Sequence, residues 1–395
     1  MKFVKFMPAH SLVSASRNKR EIGVLLDLGA DVTIISRDAE CPVEELKNVC
    51  AFKNDGGIPL SQSVPSLKRK FYVLKNSFNL YKLARGIEAD VVSCHDLNAL
   101  KVMYFSKLFI PKKKRPKLVY DSHEFTLGLA KYKHPLKRKI AACLEKFLMK
   151  RCAFSIMVNE AISNRVQKEH GLKETPVSVK NAPQKWLLDS NKTEGIRRIF
   201  ESSLNITEKD AFIAMYHGAI IPGRGIEVFI DAIAKNENIY GVILGDFSHE
   251  SYERKIKELA NSDALKGRIA FFPAVSHKEL KNYISAVDCG VSLLQNTCEN
   301  HLYALPNKFF ECIQSLTPVV VSDFPAIGRV VDEYEIGLKC DSASSDDVAK
   351  AFEKMRTDKD LYNCFKKNLL KAKEELCWEN EKQKLFDAYK NILEK

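Results

Sequence analysis

"AFIAMYHGAIIPGRGIEVFIDAIAK", residues 211–235, is the stretch from which the rest of the chain can be read. It opens on an apolar run that reads as a strand buried on both faces and ends at His217. A glycine-bounded loop follows, and a helix is expected to begin near Ile226. Gly218, Gly223 and Gly225 let the backbone turn and approach a ligand closely, while a helix start offers free N–H groups and partial positive charge. Arg224 adds a forked cation suited to phosphate oxygens. The spelling comes close to the nucleotide-binding pattern G-x-x-x-x-G-K-[ST]. Gly225, however, stands where a magnesium-binding Ser or Thr is needed, which argues against an ATPase or GTPase.

The same strand-then-helix rhythm runs along the whole chain. "DVTIIS" (31–36), "DVVSC" (90–94), "KLVYDS" (117–122) and "FSIMVN" (154–159) read as strands before it. "YGVILGD" (240–246), "RIAFFPA" (268–274), "CGVSLL" (289–294) and "PVVVSD" (318–323) follow it. Such alternation implies parallel sheets covered by helices on both faces. Two series meet near "VSVKNAPQKW" (177–186), so the expected fold class is α/β, with two doubly wound, Rossmann-like domains facing a cleft. Their expected extents are 1–183 and 184–376.

Composition narrows the options. Of 395 residues, 45% are hydrophobic and 28% charged, as in a globular protein rather than a disordered one. No apolar run approaches the roughly 18–20 residues that cross a bilayer. The opening "MKFVKFMPAHSLVSASRNKRE" has no long apolar stretch, so no signal peptide is expected. Eleven cysteines stand singly, without a C-x-x-C pair, and read as small buried hydrophobes in a reducing compartment. The net charge of +12 is uneven: residues 1–183 hold 33 Lys+Arg against 17 Asp+Glu, while the remainder is net −4. That asymmetry suggests a polyanion, nucleic acid or anionic membrane, facing the first half. "PKKKRPK" (111–117) and "HPLKRKIAACLEKFLMKRC" (134–152) concentrate the charge. The second has Leu136, Ile140, Cys143, Leu144, Phe147 and Leu148 as an apolar stripe edged by basic residues, a pattern able to lie in a lipid interface. No aromatic-studded basic face or nucleic-acid module is present, so nucleic acid is not expected as a partner.

Two further stretches carry candidate chemistry. In "ALPNKFFECIQSLTPVVVSD" (304–323), Pro306 suits a first helical turn, and the N–H groups after it, with Lys308, make a second anion site. Two anion sites in one domain fit a diphosphate. Glu311 lies nearly opposite the apolar face made by Phe309, Phe310, Cys312 and Ile313. It either complements the helix dipole or accepts ribose hydroxyls. In "LVYDSHEFTLG" (118–128), Asp121, His123 and Glu124 lie at a strand's carboxyl end, where ligands of open α/β sheets bind. His123 can donate a hydrogen bond or exchange a proton near neutral pH. "SCHDLNA" (93–99) repeats the device with His95 and Asp96.

Taken together these motifs resemble the retaining, nucleotide-sugar-dependent glycosyltransferases of family 4, which have the GT-B fold. The resemblance extends over nearly the full length. It includes "DVTIIS", "YDSHE", "VKNAP", "GxxxxGRG", "VILGD", "LPNKFFECIQSLTPVVVSD" and "CWENEKQKLFDAYKNIL". It implies a nucleoside-diphosphate sugar, UDP-linked by family frequency, bound mainly by residues after 183. It also implies a lipid-linked or glycan acceptor on the first domain and a closing helix, 377–395, that crosses back to it. Gly218, Arg224 and Lys308 would meet the diphosphate, with backbone groups of Leu305, Pro306 and Asn307 beside it. Glu311 would match the second glutamate of the family's E-x7-E motif, which holds ribose. His123, with Glu124, would serve catalysis. Tyr303 stands where the first glutamate would fall, and Ala219 where a loop arginine is frequent.

The implied reaction is transfer with retention, with no metal or other cofactor, in the assembly of a bacterial surface polysaccharide. The expected location is cytoplasmic, peripheral on the inner face of the membrane. A degenerate, membrane-associated partner of an active enzyme, or a nucleotide-sugar epimerase or hydrolase of the same fold, are the alternatives.

Overall fold

Residues 2–7, "KFVKFM", form an interior strand, β1 (Lys2–Met7), of the first sheet in a computed structural model of the chain. The structure describes residues 1–11, 16–37, 50–53, 66–208, 210–265 and 267–393. Around β1 lie β2 (Asp31–Ser36), β3 (Cys50–Lys53), β4 (Val91–His95), β5 (Lys117–Asp121), β6 (Phe154–Met157) and β7 (Val177–Ser178). Their order is β3-β2-β1-β4-β5-β6-β7, and every pairing is parallel. Parallel neighbours need long crossovers, and helices such as Asp96–Ser106 and Glu160–His170 supply them. The order reverses between β1 and β4, so the loops after these two strands flank the place where doubly wound sheets bind ligands.

This sheet belongs to a unit made of Met1–Lys180 and Glu381–Lys395. The closing helix Trp378–Leu393 supplies Tyr389, which packs edge-on against Phe3 and Phe154 with ring centroids 5.4 and 5.1 Å away. Lys117 Nζ also donates to Ile392 O at 2.8 Å.

The second unit is Asn181–Asn380. Its strands are β8 (Phe212–His217), β9 (Ile239–Leu244), β10 (Ile269–Phe272), β11 (Cys289–Ser292), β12 (Val319–Ser322) and β13 (Gly337–Cys340). They pair in parallel in the order β10-β9-β8-β11-β12-β13. Along β8, Ile213 and Met215 enter one core cluster while Phe212, Ala214 and Tyr216 enter the other. Along β12, Val319 and Val321 face the first cluster and Val320 the second. Because successive side chains point to opposite faces and both faces are covered, the strand sequence is apolar throughout.

The nine expected strands all form, with ends shifted by no more than two residues. β1, β3, β7 and β13 were not expected. The nine cysteines with described side chains are all free, and Cys41 lies outside the described residues. Among the described residues no helix is long and apolar enough to cross a membrane.

The basic stretch 134–152 differs from its reading in one respect. Helix Pro135–Met149 buries Ala141, Glu145, Leu148 and Met149, so Leu148 belongs to the core rather than to the solvent-facing stripe. Glu145 is held inside by Tyr120 Oη at 2.9 Å and His170 Nε2 at 3.0 Å. Leu136 and Ile140 are each 62% exposed and Phe147 37%, with Lys137, Lys139, Lys146 and Lys150 exposed around them. Phe147 meets Tyr104 edge-on, and Phe109, shortly after Tyr104 in the chain, is 88% exposed.

Candidate functional site

In the second unit, the loop between β8 and helix Ile226–Ala234 carries the candidate phosphate-binding residues. Gly225 caps that helix at φ +76°, and a Cβ there would lie 2.2 Å from Leu293 O. Gly245 at φ +152° is equally constrained, since a Cβ would fall 2.1 Å from Gly218 O. Only glycine lets these backbones approach. Gln295 N donates to Gly223 O at 3.1 Å, tying the loop after β11 to the loop after β8 at the point where strand order reverses.

Arg224 is half-buried and, among the described residues, has no hydrogen-bond or ion-pair partner. Lys308 is likewise half-buried, its Nζ 3.5 Å from the centroid of the Tyr216 ring and without a carboxylate partner among the described residues. Burial, then the nearby Arg224, pushes the Lys308 ammonium down to about 7. A guanidinium and an ammonium this close, neither with a carboxylate partner among the described residues, are suited to an anion. Pro306 caps helix Asn307–Gln314, whose first N–H groups add to the positive field. Asn307 is exposed and its Oδ1 accepts from Asn181 Nδ2 at 2.6 Å, while the Leu305 side chain packs on the core.

Glu311 is not the free carboxylate that its helical position suggests. His217 Nε2 donates to Oε2 at 3.0 Å, and His277 Nε2 stands 3.7 Å from Oε1. Burial disfavours the carboxylate, but the hydrogen bond from His217 and the adjacent His277 outweigh it and hold Glu311 down to about 2. His217 is buried, and its Nδ1 has no partner among the described residues. The two histidines escaped the sequence reading, although His217 at a strand end beside a loop glycine was a usable signal. Tyr303, in place of the first glutamate, caps the short helix Glu299–Leu302. The D-x-D spelled by Asp358, Lys359 and Asp360 is a helix cap: Leu361 N donates to Asp358 Oδ1 at 3.0 Å.

In the first unit, His10, His95 and His123 stack at the carboxyl ends of β1, β4 and β5, with ring centroids 4.2 and 3.5 Å apart. Each has one ring nitrogen committed: His10 to Asp96 at 3.1 Å, His95 to Asn18 at 3.0 Å and His123 to Asp121 at 2.9 Å. Asp121 is fully buried and also takes Arg17 and Lys5. Lys5 in turn pairs with Glu21, which accepts from Ser93 Oγ at 2.7 Å and from Tyr389 Oη. Burial drives His123 down to about 4 and His95 lower still, so both imidazoles are neutral. His95, Asp121 and His123 place ligand atoms within 4.8 Å of one another, close enough for a metal ion. Two buried cations already neutralise Asp121, which disfavours a third. Glu124 is exposed, its side chain outside this network.

Residues 22–180 match the family model described as Glycosyltransferase Family 4, and residues 197–372 that of Glycosyl transferases group 1. The lipopolysaccharide core biosynthesis glycosyltransferase LpsE of Rhizobium meliloti (strain 1021) is 25% identical over 187 residues, 47% of this chain and 51% of that protein. The match thus spans about half the length of that curated relative. Among solved structures, Anabaena Alr3699/HepE in complex with UDP aligns over 99% of this chain and 100% of its own, at 15% identity and a TM-score of 0.74. The same protein in complex with UDP-glucose aligns over 99% and 100%, at 16% identity and a TM-score of 0.72. At such identities the likeness is one of fold.

Proposed function

We propose that this chain, one of the GT-B glycosyltransferases, transfers a sugar from a nucleoside-diphosphate donor, UDP-linked by preference, to a lipid-linked or glycan acceptor in surface polysaccharide assembly. The carrying observation is the pair of cations without carboxylate partners among the described residues, Arg224 and Lys308, beside a glycine loop and a helix start in the second unit. HepE, solved with UDP and UDP-glucose, favours the same donor, and LpsE, a lipopolysaccharide core biosynthesis glycosyltransferase, favours a surface-glycan acceptor.

As the anomeric C–O bond breaks, negative charge gathers on the leaving diphosphate. Arg224, Lys308 and the N-terminus of helix Asn307–Gln314 stabilise it in place, more strongly than they stabilise the less charged diphosphate diester of the intact donor. Glu311, oriented by His217, holds the ribose hydroxyls with the oxygen that His277 only approaches. Retention then follows from attack on the face the leaving group vacates, through an oxocarbenium-like state that needs no enzymic nucleophile. His123 and Glu124 are assigned to the reacting sugar by the family resemblance alone.

The test is incubation with UDP-sugars and lipid-linked acceptors. A glycoside with the donor's anomeric configuration supports the reading. UDP binding without transfer to any acceptor points instead to a degenerate partner, for which Tyr303 in place of a glutamate is the motivating feature. Arg224→Ala is expected to weaken UDP by about 1.5–3 kcal/mol, the worth of a charge-assisted hydrogen bond, with the fold intact. Unchanged UDP affinity by calorimetry removes Arg224 from the site. Glu311→Gln keeps an oxygen for His217 but loses the charge that draws ribose hydroxyls. A roughly five- to tenfold loss of UDP affinity, against a smaller loss for inorganic pyrophosphate, is expected. Equal losses for both ligands would assign Glu311 to the helix field instead.

A further inference from the structure

We propose that Tyr216 is the positioning residue of the phosphate site: its ring holds the Lys308 ammonium, and its hydroxyl anchors the loop that bears Arg224, so that both cations meet one diphosphate. The inference deepens the donor-site reading and rests on it.

Tyr216 is the penultimate residue of β8 and is buried. A core position on this strand needs only an apolar side chain, as Phe212 and Ala214 on the same face show. Tyr216 does two additional things. Its Oη donates to Ala219 O at 2.7 Å, fixing the first turn of the loop five residues before Arg224. Its ring face lies 3.5 Å from Lys308 Nζ, which comes from a different loop and helix. Ala219 itself contributes no charge, so Lys308 is the second cation available to the loop. A lysine side chain has four rotatable bonds, and the negative face of an aromatic ring is what restricts it here.

The charged and titratable groups around Lys308 are Arg224 on the loop, Glu311 and Cys312 on its own helix, and Tyr216 on β8. Burial and Arg224 disfavour the ammonium in the ligand-free protein. A diphosphate brings the opposite charge and restores it, so nucleotide binding is coupled to proton uptake at Lys308. That coupling distinguishes a positioned phosphate cation from a lysine that merely packs on a ring.

The experiment is calorimetric titration of UDP at pH 8 in two buffers of different ionisation enthalpy, with far-UV circular dichroism to confirm folding. At that pH a terminal phosphate, with a second pKa of about 6, contributes no uptake of its own. Wild type is expected to take up close to one proton per UDP bound, on the order of complete recharging of one lysine. Lys308→Gln should abolish the uptake. Tyr216→Phe, which keeps the ring, should retain the uptake while binding UDP a few-fold more weakly. Tyr216→Leu should bind about tenfold more weakly and lose most of the uptake. A folded Tyr216→Leu with wild-type affinity and uptake overturns the proposal. If Tyr216→Leu does not fold, the other variants decide: Lys308→Gln with undiminished uptake, or Tyr216→Phe with unchanged affinity, overturns it. If wild type binds neither UDP nor another nucleoside diphosphate, the donor-site reading fails first, and this proposal with it.

Discussion

Asp121→Ala is expected to cost the first unit about 3–5 kcal/mol, the usual result of removing one member of a buried charge network. The reason lies in what Asp121 holds. Its Oδ1 accepts from Arg17 Nε at 3.2 Å and from a second Arg17 nitrogen at 3.1 Å. Its Oδ2 accepts from Lys5 Nζ at 3.0 Å and pairs with His123 Nε2 at 2.9 Å. Lys5 is wholly buried and Arg17 7% exposed, so without Asp121 the buried Arg17 loses its carboxylate and Lys5 keeps Glu21 alone. The pH dependence separates two contributions. Burial disfavours the Asp121 carboxylate, but Arg17 and Lys5 overcome this and hold its pKa well below the usual range. Its stabilisation is therefore present above about pH 4 and is lost only in stronger acid, as pH falls through the folded value. His123 is depressed by burial to about 4, and the unfolded chain binds its proton first. Stability should thus decline as pH falls from about 6.5 toward 4, by up to about 1.4 kcal/mol per pH unit for this histidine. Urea unfolding followed by far-UV circular dichroism checks both. Trp186 and Trp378, both in the second unit, give that unit a separate fluorescence signal. A circular-dichroism midpoint unmoved by Asp121→Ala would show that the network does not carry the fold.

The same network explains what the sequence hid. β8 and β12 were legible because each is apolar on both faces and bounded by glycine or proline. β1 was not, although it is an interior strand of its sheet. Two lysines in six residues break the apolar pattern, and Lys5 is tolerated inside only because Glu21 and Asp121, 16 and 116 positions away, neutralise it. Long-range charge pairing leaves no periodic trace. β13, with Gly337 and Lys339 among its four residues, is illegible for a simpler reason: it is an edge strand, paired with β12 alone. At the site, chemistry followed residue type where the backbone does the work. The glycine loop, Arg224 and the start of helix Asn307–Gln314 lie where strand order predicts. Side-chain partnerships across loops did not announce themselves. Glu311 offered a choice between a helix dipole and a ribose, and the structure adds a clasp by His217 and His277 that its own helix could not reveal. Tyr216 looked like core, because a buried aromatic at strand spacing usually is.

Vesicle binding should show the largest effect of all. We expect the first unit to dock on anionic lipid through helix Pro135–Met149 and the neighbouring turn at Lys112–Lys114. The helix turns Leu136, Ile140 and Phe147 outward among basic residues, and the Arg151 guanidinium lies 3.5 Å over the Phe147 ring. A helix that merely covered a core would not expose this stripe, since its buried side is already filled by Ala141, Glu145, Leu148 and Met149. Basic residues around an apolar stripe match acidic headgroups over acyl chains, and each basic residue near such a surface contributes about 1 kcal/mol. Neutralising 112–115 and 137–139 removes seven of them, roughly 7 kcal/mol if all reach the surface. Wild type should sediment with phosphatidylglycerol vesicles at low salt and be released at high salt, because the screening length falls from about 30 Å at 0.01 M to about 3 Å at 1 M. The neutralised variant should stay in the supernatant. Ile140→Ser with Phe147→Ser should keep the low-salt binding but make it reverse at lower salt, since insertion of the apolar stripe would be lost while attraction remains. Wild type left in the supernatant at low salt, or a neutralised variant that pellets equally well, would mean that the +16 half of the chain serves another polyanion.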